Sequence, residues 1–156
     1  MLEHLIMAGV AAVTPACPAA VPFGHGLQVI DVVRVVTGAN GESEFVDAKL
    51  TAKSRAYFKP GELFSAIDIG AAKRVQLISG PPNSKLPMHA SLGYEMFLTI
   101  QGGSTVTLPN GQRRVLKPGS LVIMEDMGSK TGHAGETGPC GYVSVQVVPS
   151  APLKFP

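Results

Sequence analysis

The chain has 156 residues, the size of one domain, and its 13 Lys and Arg against 11 Asp and Glu give a net charge of +2. With no basic stripe and no Trp, phosphate-driven nucleic-acid binding is excluded. Charged residues make up only 15% and hydrophobic residues 45%, which excludes a disordered chain, while Gly (18) and Pro (13) leave little room for long helices. Residues 1–26 come first. Leu5 to Val13 is apolar and is followed by the small residues Ala16, Ala19 and Ala20. No Lys or Arg precedes Arg34, whereas a secretory signal needs a positive start, and the run is shorter than the ~20 residues that span a bilayer. The segment therefore reads as an N-terminal arm of a cytoplasmic protein without a membrane span. The alternative is a degenerate signal over residues 1–20 and export. Cys17 and Cys140 form no metal-type pair and read as two separate reduced thiols, a disulfide requiring export. His4 and His25 lie in the arm and are assigned no role.

From residue 27 the texture changes to short runs rich in Val, Ile, Leu and Phe between turn residues, the pattern of an all-β domain over 27–148. Strands are predicted at Leu27–Val36, Ser43–Leu50, Glu62–Ile69, Arg74–Ser79, Tyr94–Gln101, Ser104–Leu108, Gln112–Leu116, Ser120–Glu125 and Tyr142–Val148. Asn110-Gly111 accepts the positive φ of a tight turn, so Ser104–Leu108 and Gln112–Leu116 form a predicted hairpin. The Pro-rich residues 149–156 read as an extended tail.

Alternation divides the faces. Glu95, Phe97 and Thr99 share one face, and Tyr94, Met96, Leu98 and Ile100 share the other, which is too apolar for water. That face needs the N-terminal arm, another sheet or a second subunit, so a homodimer is predicted. In Tyr142–Val148 a polar-lined face carrying Tyr142, Ser144 and Gln146 lies opposite Val143, Val145 and Val147, as in a barrel with a polar ligand cavity.

Two histidines stand beside this strand core. His89 precedes Glu95, and His133 follows Ser120–Glu125. A carboxylate beside Phe97 is costly to bury without a cation or a proton. If the strands are neighbours, His89, Glu95 and His133 converge as two imidazoles and a carboxylate, a facial set for Fe, Mn, Ni or Zn. Solvent-exposed loop histidines are the plainer reading. Arg74 and Gln76 share a strand face and either orient an anionic or carbonyl group in the cavity or are solvated edge groups. Met88, Met124 and Met127 with Phe97 are either a pocket wall or core. Tyr94 and Tyr142 either donate to a substrate or cap the sheet.

The stretch from Pro87 to Val148 resembles the core of the cupin superfamily. His89, Glu95 and Gly102 match the first His, the Glu and the closing Gly of the first cupin motif, with Ser91 where the second His stands. Pro118-Gly119, the following strand and His133 correspond to the second motif, with a longer Gly-to-His spacing and Glu125 in place of its Pro. The EDMGSKTGH stretch and the VVTGANGESEFVDAKL stretch are similar to a subgroup of small single-domain cupins. The resemblance implies a double-stranded β-helix or jelly-roll barrel with an extended N-terminal arm. It also implies a divalent metal on His89, Glu95 and His133. With Ser91 replacing a ligand, Ser91 either holds a water or substrate oxygen or has no site role.

The expected function is a small-molecule enzyme using a divalent metal for oxygenation, decarboxylation or isomerisation of a carbonyl or enol-type substrate. The alternatives are a metal-free small-ligand binder, and a cofactorless isomerase, cyclase or lyase using Glu95 and His133 as acid and base.

Overall fold

The computed structural model describes the backbone of residues 29–51, 53–56, 63–66 and 68–155, and the side chains of 29–51 and 68–155. The arm over residues 1–26, with His4, His25 and Cys17, lies outside the described residues. Among the described residues there is no helix, and so none long and apolar enough to cross a membrane.

The strands are β1 (Val29–Thr37), β2 (Ser43–Thr51), β3 (Lys53–Ala56), β4 (Leu63–Ala66), β5 (Ala72–Gly80), β6 (Lys85–His89), β7 (Glu95–Thr107), β8 (Arg113–Leu116), β9 (Leu121–Glu125) and β10 (His133–Pro149). Eight of them form one mixed sheet, ordered β2-β1-β9-β7-β10-β5, with β6 on β10 and β8 on β7, while β3 and β4 pair separately. β1 runs parallel to β9, and the remaining pairs are antiparallel. The sheet does not close: β2 and β5 end the order, so the expected closed barrel is corrected to an open, folded sheet.

Two long strands do the folding. The predicted strands Tyr94–Gln101 and Ser104–Leu108 are one strand, β7, running through Gly102-Gly103. Its first half pairs with β9 and the second half of β10, and its second half with β8 and the first half of β10. β10 breaks register between Thr137 and Tyr142, opposite that bend. Both strands thus change neighbours at their middles, and the sheet turns back over itself around a cavity. The Asn110-Gly111 hairpin joins β7 to β8 as predicted, with the Leu108 amide donating to the Gln112 carbonyl at 2.9 Å.

Alternation along the strands sorts side chains into two apolar clusters. Inside the fold, Val35, Val106, Leu108, Leu116, Val122 and Met124 pack with Phe45 and Phe97. On the opposite face, Val32, Leu50, Met96, Leu121, Ile123 and Val147 pack with Tyr94, Leu98 and Val145. The chain's own tail joins this outer cluster through Leu153 and Phe155. The Leu153 amide donates to the Tyr94 hydroxyl at 2.9 Å, and the Arg34 guanidinium lies 4.4 Å from the centre of the Phe155 ring. Arg34 also makes a bidentate pair with Glu125, with Nε–Oε2 at 2.5 Å and Nη2–Oε1 at 3.0 Å. Tyr94, Met96 and Leu98 of the apolar face are therefore packed by residues of the same chain, while Ile100, its fourth member, is 36% exposed. Phe155→Ala is expected to lower unfolding free energy by about 1.5 kcal/mol, for a partly buried ring and a lost cation–π contact. Urea unfolding checks this, and an unchanged midpoint would show that the tail does not hold the face.

Cys140, on β10, is disulfide-bonded, which corrects the reading of two separate reduced thiols. Separation along the chain does not limit approach in space once strands fold back. Its partner lies outside the described residues.

Candidate functional site

β6 ends and β10 begins on a histidine, and the two are direct cross-strand partners. Their rings lie 4.7 Å apart, centre to centre, inclined at 51°. Both line a cavity of about 420 Å³ inside the folded sheet, whose apolar wall includes Phe97, Val106, Leu116, Val122 and Met124. The predicted convergence of His89 and His133 is thus present, made by a strand pair in which β6 was unforeseen.

Each ring has its Nδ1 occupied. In His89, Nδ1 lies 2.8 Å from the Pro87 carbonyl oxygen, which can only accept, so Nδ1 carries the hydrogen. In His133, Nδ1 lies 2.9 Å from Oδ2 of Asp126. Asp126 directly follows β9 and is 0% exposed. Its Oδ2 also accepts from the Ser43 hydroxyl at 2.6 Å, and its Oδ1 from the Ser91 hydroxyl at 2.5 Å and the Ser91 amide at 3.2 Å. Burial by itself would raise the Asp126 pKa, but hydrogen bonds from His133, Ser43 and Ser91 outweigh it. The carboxyl is held well below the usual carboxylate range. As an ionised acceptor, Asp126 fixes the hydrogen of His133 on Nδ1. With Nδ1 engaged on each ring, Nε2 is the nitrogen left without a hydrogen-bond partner among the described residues.

The same geometry gives Ser91 a role that neither sequence reading included. Its hydroxyl is spent on Asp126, so it supports the carboxylate rather than holding a water or a substrate oxygen. Lys130 ties the β9–β10 loop to the β1–β2 turn, its Nζ bonding the Asn40 carbonyl at 2.9 Å and its amide the Gly41 carbonyl at 2.9 Å. The Thr131 hydroxyl adds a bond to Glu42.

Glu95, at the start of β7, lines the cavity too, but it is engaged elsewhere. Its Oε1 accepts from the Gln146 amide at 3.0 Å, and Arg74 approaches it at 4.0 Å. Gln76 in turn donates to the Gln146 carbonyl oxygen at 2.5 Å. Arg74 and Gln76 therefore stand behind Glu95 and do not line the cavity. Among the described residues no group of three or more His, Cys, Asp and Glu side chains is placed to hold a metal ion. The donors present do not fit the expected three-ligand centre of His89, Glu95 and His133.

Of the remaining candidates, Phe97, Met124 and Tyr142 line the cavity. Burial pushes the Tyr142 phenol pKa up, so it stays protonated. Met88 and Met127 are 45% and 50% exposed and lie off the cavity, which corrects their place in the pocket wall. Tyr94 is corrected likewise, since it lies on the outer face beneath the tail.

Sequence reasoning missed Asp126, Ser43 and Gln146. Gln146 had a signal, its place on the polar face of the last strand. Asp126 had only its place in the EDMGSKTGH stretch, where an acidic turn residue is ordinarily solvated. Comparison with known protein families and with curated proteins finds no match.

Proposed function

We propose that this chain is a cofactor-independent enzyme that moves a proton on a small hydroxyketone-type molecule, an isomerase or lyase with His133 as its base. The observation that carries this reading is the buried Asp126 carboxylate bonded to Nδ1 of a histidine that itself lines an apolar cavity. Such a carboxylate orients the imidazole, fixes its tautomer and stabilises the imidazolium that forms when Nε2 takes a proton. In the proposed step, Nε2 of His133 removes a hydrogen from the carbon between the carbonyl and the hydroxyl. The C–H electron pair forms the carbon–carbon double bond of an enediol and the carbonyl π pair moves to its oxygen, which accepts a hydrogen bond from Tyr142. The proton of the substrate hydroxyl passes to that oxygen, the electron pair it leaves forms the new carbonyl, and return of the carbon-bound proton to the former carbonyl carbon gives the isomeric hydroxycarbonyl compound, with nothing consumed. His89, with its own bare Nε2 beside His133, passes the proton between the two carbons.

We infer that the fold is a cupin-type jelly roll opened along one edge. The two long strands that change neighbours at their middles support this. So does the junction of the two resembling stretches, where Ser43 of one bonds Asp126 of the other. The disulfide at Cys140 favours an oxidising compartment over the cytoplasm.

The test is hydrogen–deuterium exchange at the methylene of 2-hydroxyacetophenone, followed by proton NMR in D₂O. Exchange is expected to exceed that of buffer, to be insensitive to EDTA and to fall about 10²-fold or more in His133→Asn. Exchange equal to buffer would sink the enzymatic reading. Exchange abolished by EDTA and restored by Fe(II), Mn(II), Ni(II) or Zn(II) would return the metal-dependent one.

A further inference from the structure

We infer that the cavity selects ligands that bring a hydrogen-bond donor or a cation to Glu95 and turns away carboxylates. This deepens the cavity reading above and rests on it.

The argument starts from the direction of one chain of amides. A side-chain amide has a donor end and an acceptor end, and the Gln146 acceptor end is taken by Gln76 at 2.5 Å. The donor end of Gln146 must then face Glu95, as the 3.0 Å contact shows. Gln146 is 7% exposed, so solvent does not compete for either end. The relay supplies Glu95 with a donor on Oε1, and Oε2 has no hydrogen-bond partner among the described residues. That oxygen is an acceptor on the cavity wall.

Glu95 has company of the same kind. In the neutral rings Nε2 of His89 and Nε2 of His133 are acceptors as well, because Nδ1 of each is the donor. A second carboxylate, Glu136, lines the cavity, paired at 3.5 Å with Arg113, which lies off the cavity, and no Lys or Arg lines the cavity among the described residues. Arg74 is the nearest cation to Glu95, but at 4.0 Å and 56% side-chain exposure it is screened by solvent. A ligand carboxylate would therefore meet acceptors and like charge at this end, with only hydroxyls to receive it. A hydroxyl or ammonium group would meet an acceptor already oriented by two amides, and its bond to a carboxylate is of the stronger, charge-assisted kind. The apolar wall of Phe97, Val122 and Met124 then takes the rest of the molecule.

The experiment measures binding without turnover, so that it stands apart from the exchange assay. Fluorescence titrations with 2-naphthylmethylamine, 2-naphthalenemethanol and 2-naphthoate share one apolar body and differ only in the polar group. They are run at about pH 8, above the range in which ordinary imidazoles titrate. The amine and the alcohol are expected to bind at least about tenfold more tightly than the naphthoate. That preference should collapse in Glu95→Gln, which keeps the shape, and weaken in Gln146→Leu, with melting curves showing both variants folded. Naphthoate binding as tightly as the amine in the wild-type protein would overturn the inference and leave the cavity reading standing. So would a preference that survives intact in folded Glu95→Gln. Binding of none of the three probes would overturn the cavity reading, and this inference with it. If neither variant folds, the wild-type order of affinities decides.

Discussion

An Asp126→Asn protein will fold, and will exchange the 2-hydroxyacetophenone methylene about 10³-fold more slowly than the parent. The size of the loss follows from which way the new amide must turn. Oδ1 of Asp126 accepts from the Ser91 backbone amide, which can only donate, whereas Oδ2 accepts from the Ser43 hydroxyl and from Nδ1 of His133. A hydroxyl can rotate and an imidazole can change tautomer, but a backbone N–H can do neither. The Asn NH₂ will therefore face Ser43 and His133. His133 must then accept at Nδ1 and carry its hydrogen on Nε2, the nitrogen that has to be bare. Nitrogen NMR of the His133 ring should report this exchange of tautomers, which a purely structural role for Asp126 would not predict. A wild-type exchange rate in the folded variant would remove Asp126 from the mechanism.

The same carboxylate sets the response to acid. Its folded pKa lies below the ordinary value of about 3.9, so above that value the ion contributes its full stabilisation. As pH falls below about 4 the unfolded chain takes up a proton before the folded one does, and the contribution is lost progressively through the folded pKa. Urea midpoints should therefore fall more steeply between about pH 4 and pH 2 in the parent than in Asp126→Asn, whose own loss near neutrality should be about 2 kcal/mol.

Much of the fold was written in local patterns. β-Branched runs, the Asn110-Gly111 turn and the two-residue alternation that separates Phe97 from Met96 were all legible, because each depends on neighbours in sequence. β6 was not. Its run, Lys85–His89, contains Pro87 and only two other apolar residues, and it becomes a strand by pairing with β10. The union of two predicted strands into β7 was hidden by Gly102-Gly103, which read as a break and proved to be a bend within one strand. His89 and His133 could be named from spacing because histidines are scarce. What orients His133 could not, because Ser43, Ser91 and Asp126 come from three separated segments, and the hydrogen bonds between them are a property of the folded chain alone. The fate of the outer face was missed for a related reason. Nothing in the pattern of a Pro-rich tail shows that Leu153 and Phe155 return to cover Tyr94 and Met96.

Gly132→Ala should be the most damaging single methyl group near the site, costing about 4 kcal/mol or more. Gly132 precedes His133 directly and has φ +75°, where an L side chain is strained by about 1–2 kcal/mol before any contact is considered. A Cβ there would also stand 2.0 Å from the His89 carbonyl oxygen and 2.4 Å from the Ala90 nitrogen. Both obstacles are backbone, so relief requires the end of β6 to move away from the start of β10. That movement separates the two histidines, and the methyl should abolish exchange as well as lower stability. Two other glycines divide the cost into its parts. At Gly128, in the same loop, a Cβ would come no closer than 3.6 Å to anything, so Gly128→Ala should cost less than about 1 kcal/mol. Gly119 has φ +89° but open space around it, so Gly119→Ala should show the backbone strain alone, about 1–2 kcal/mol. Urea unfolding of the three variants, with exchange measured on each that folds, should rank them Gly128, Gly119, Gly132. If Gly132→Ala unfolds no more easily than Gly119→Ala, then β6 is not held against β10 at the histidine pair, and the proton-transfer reading loses its geometry.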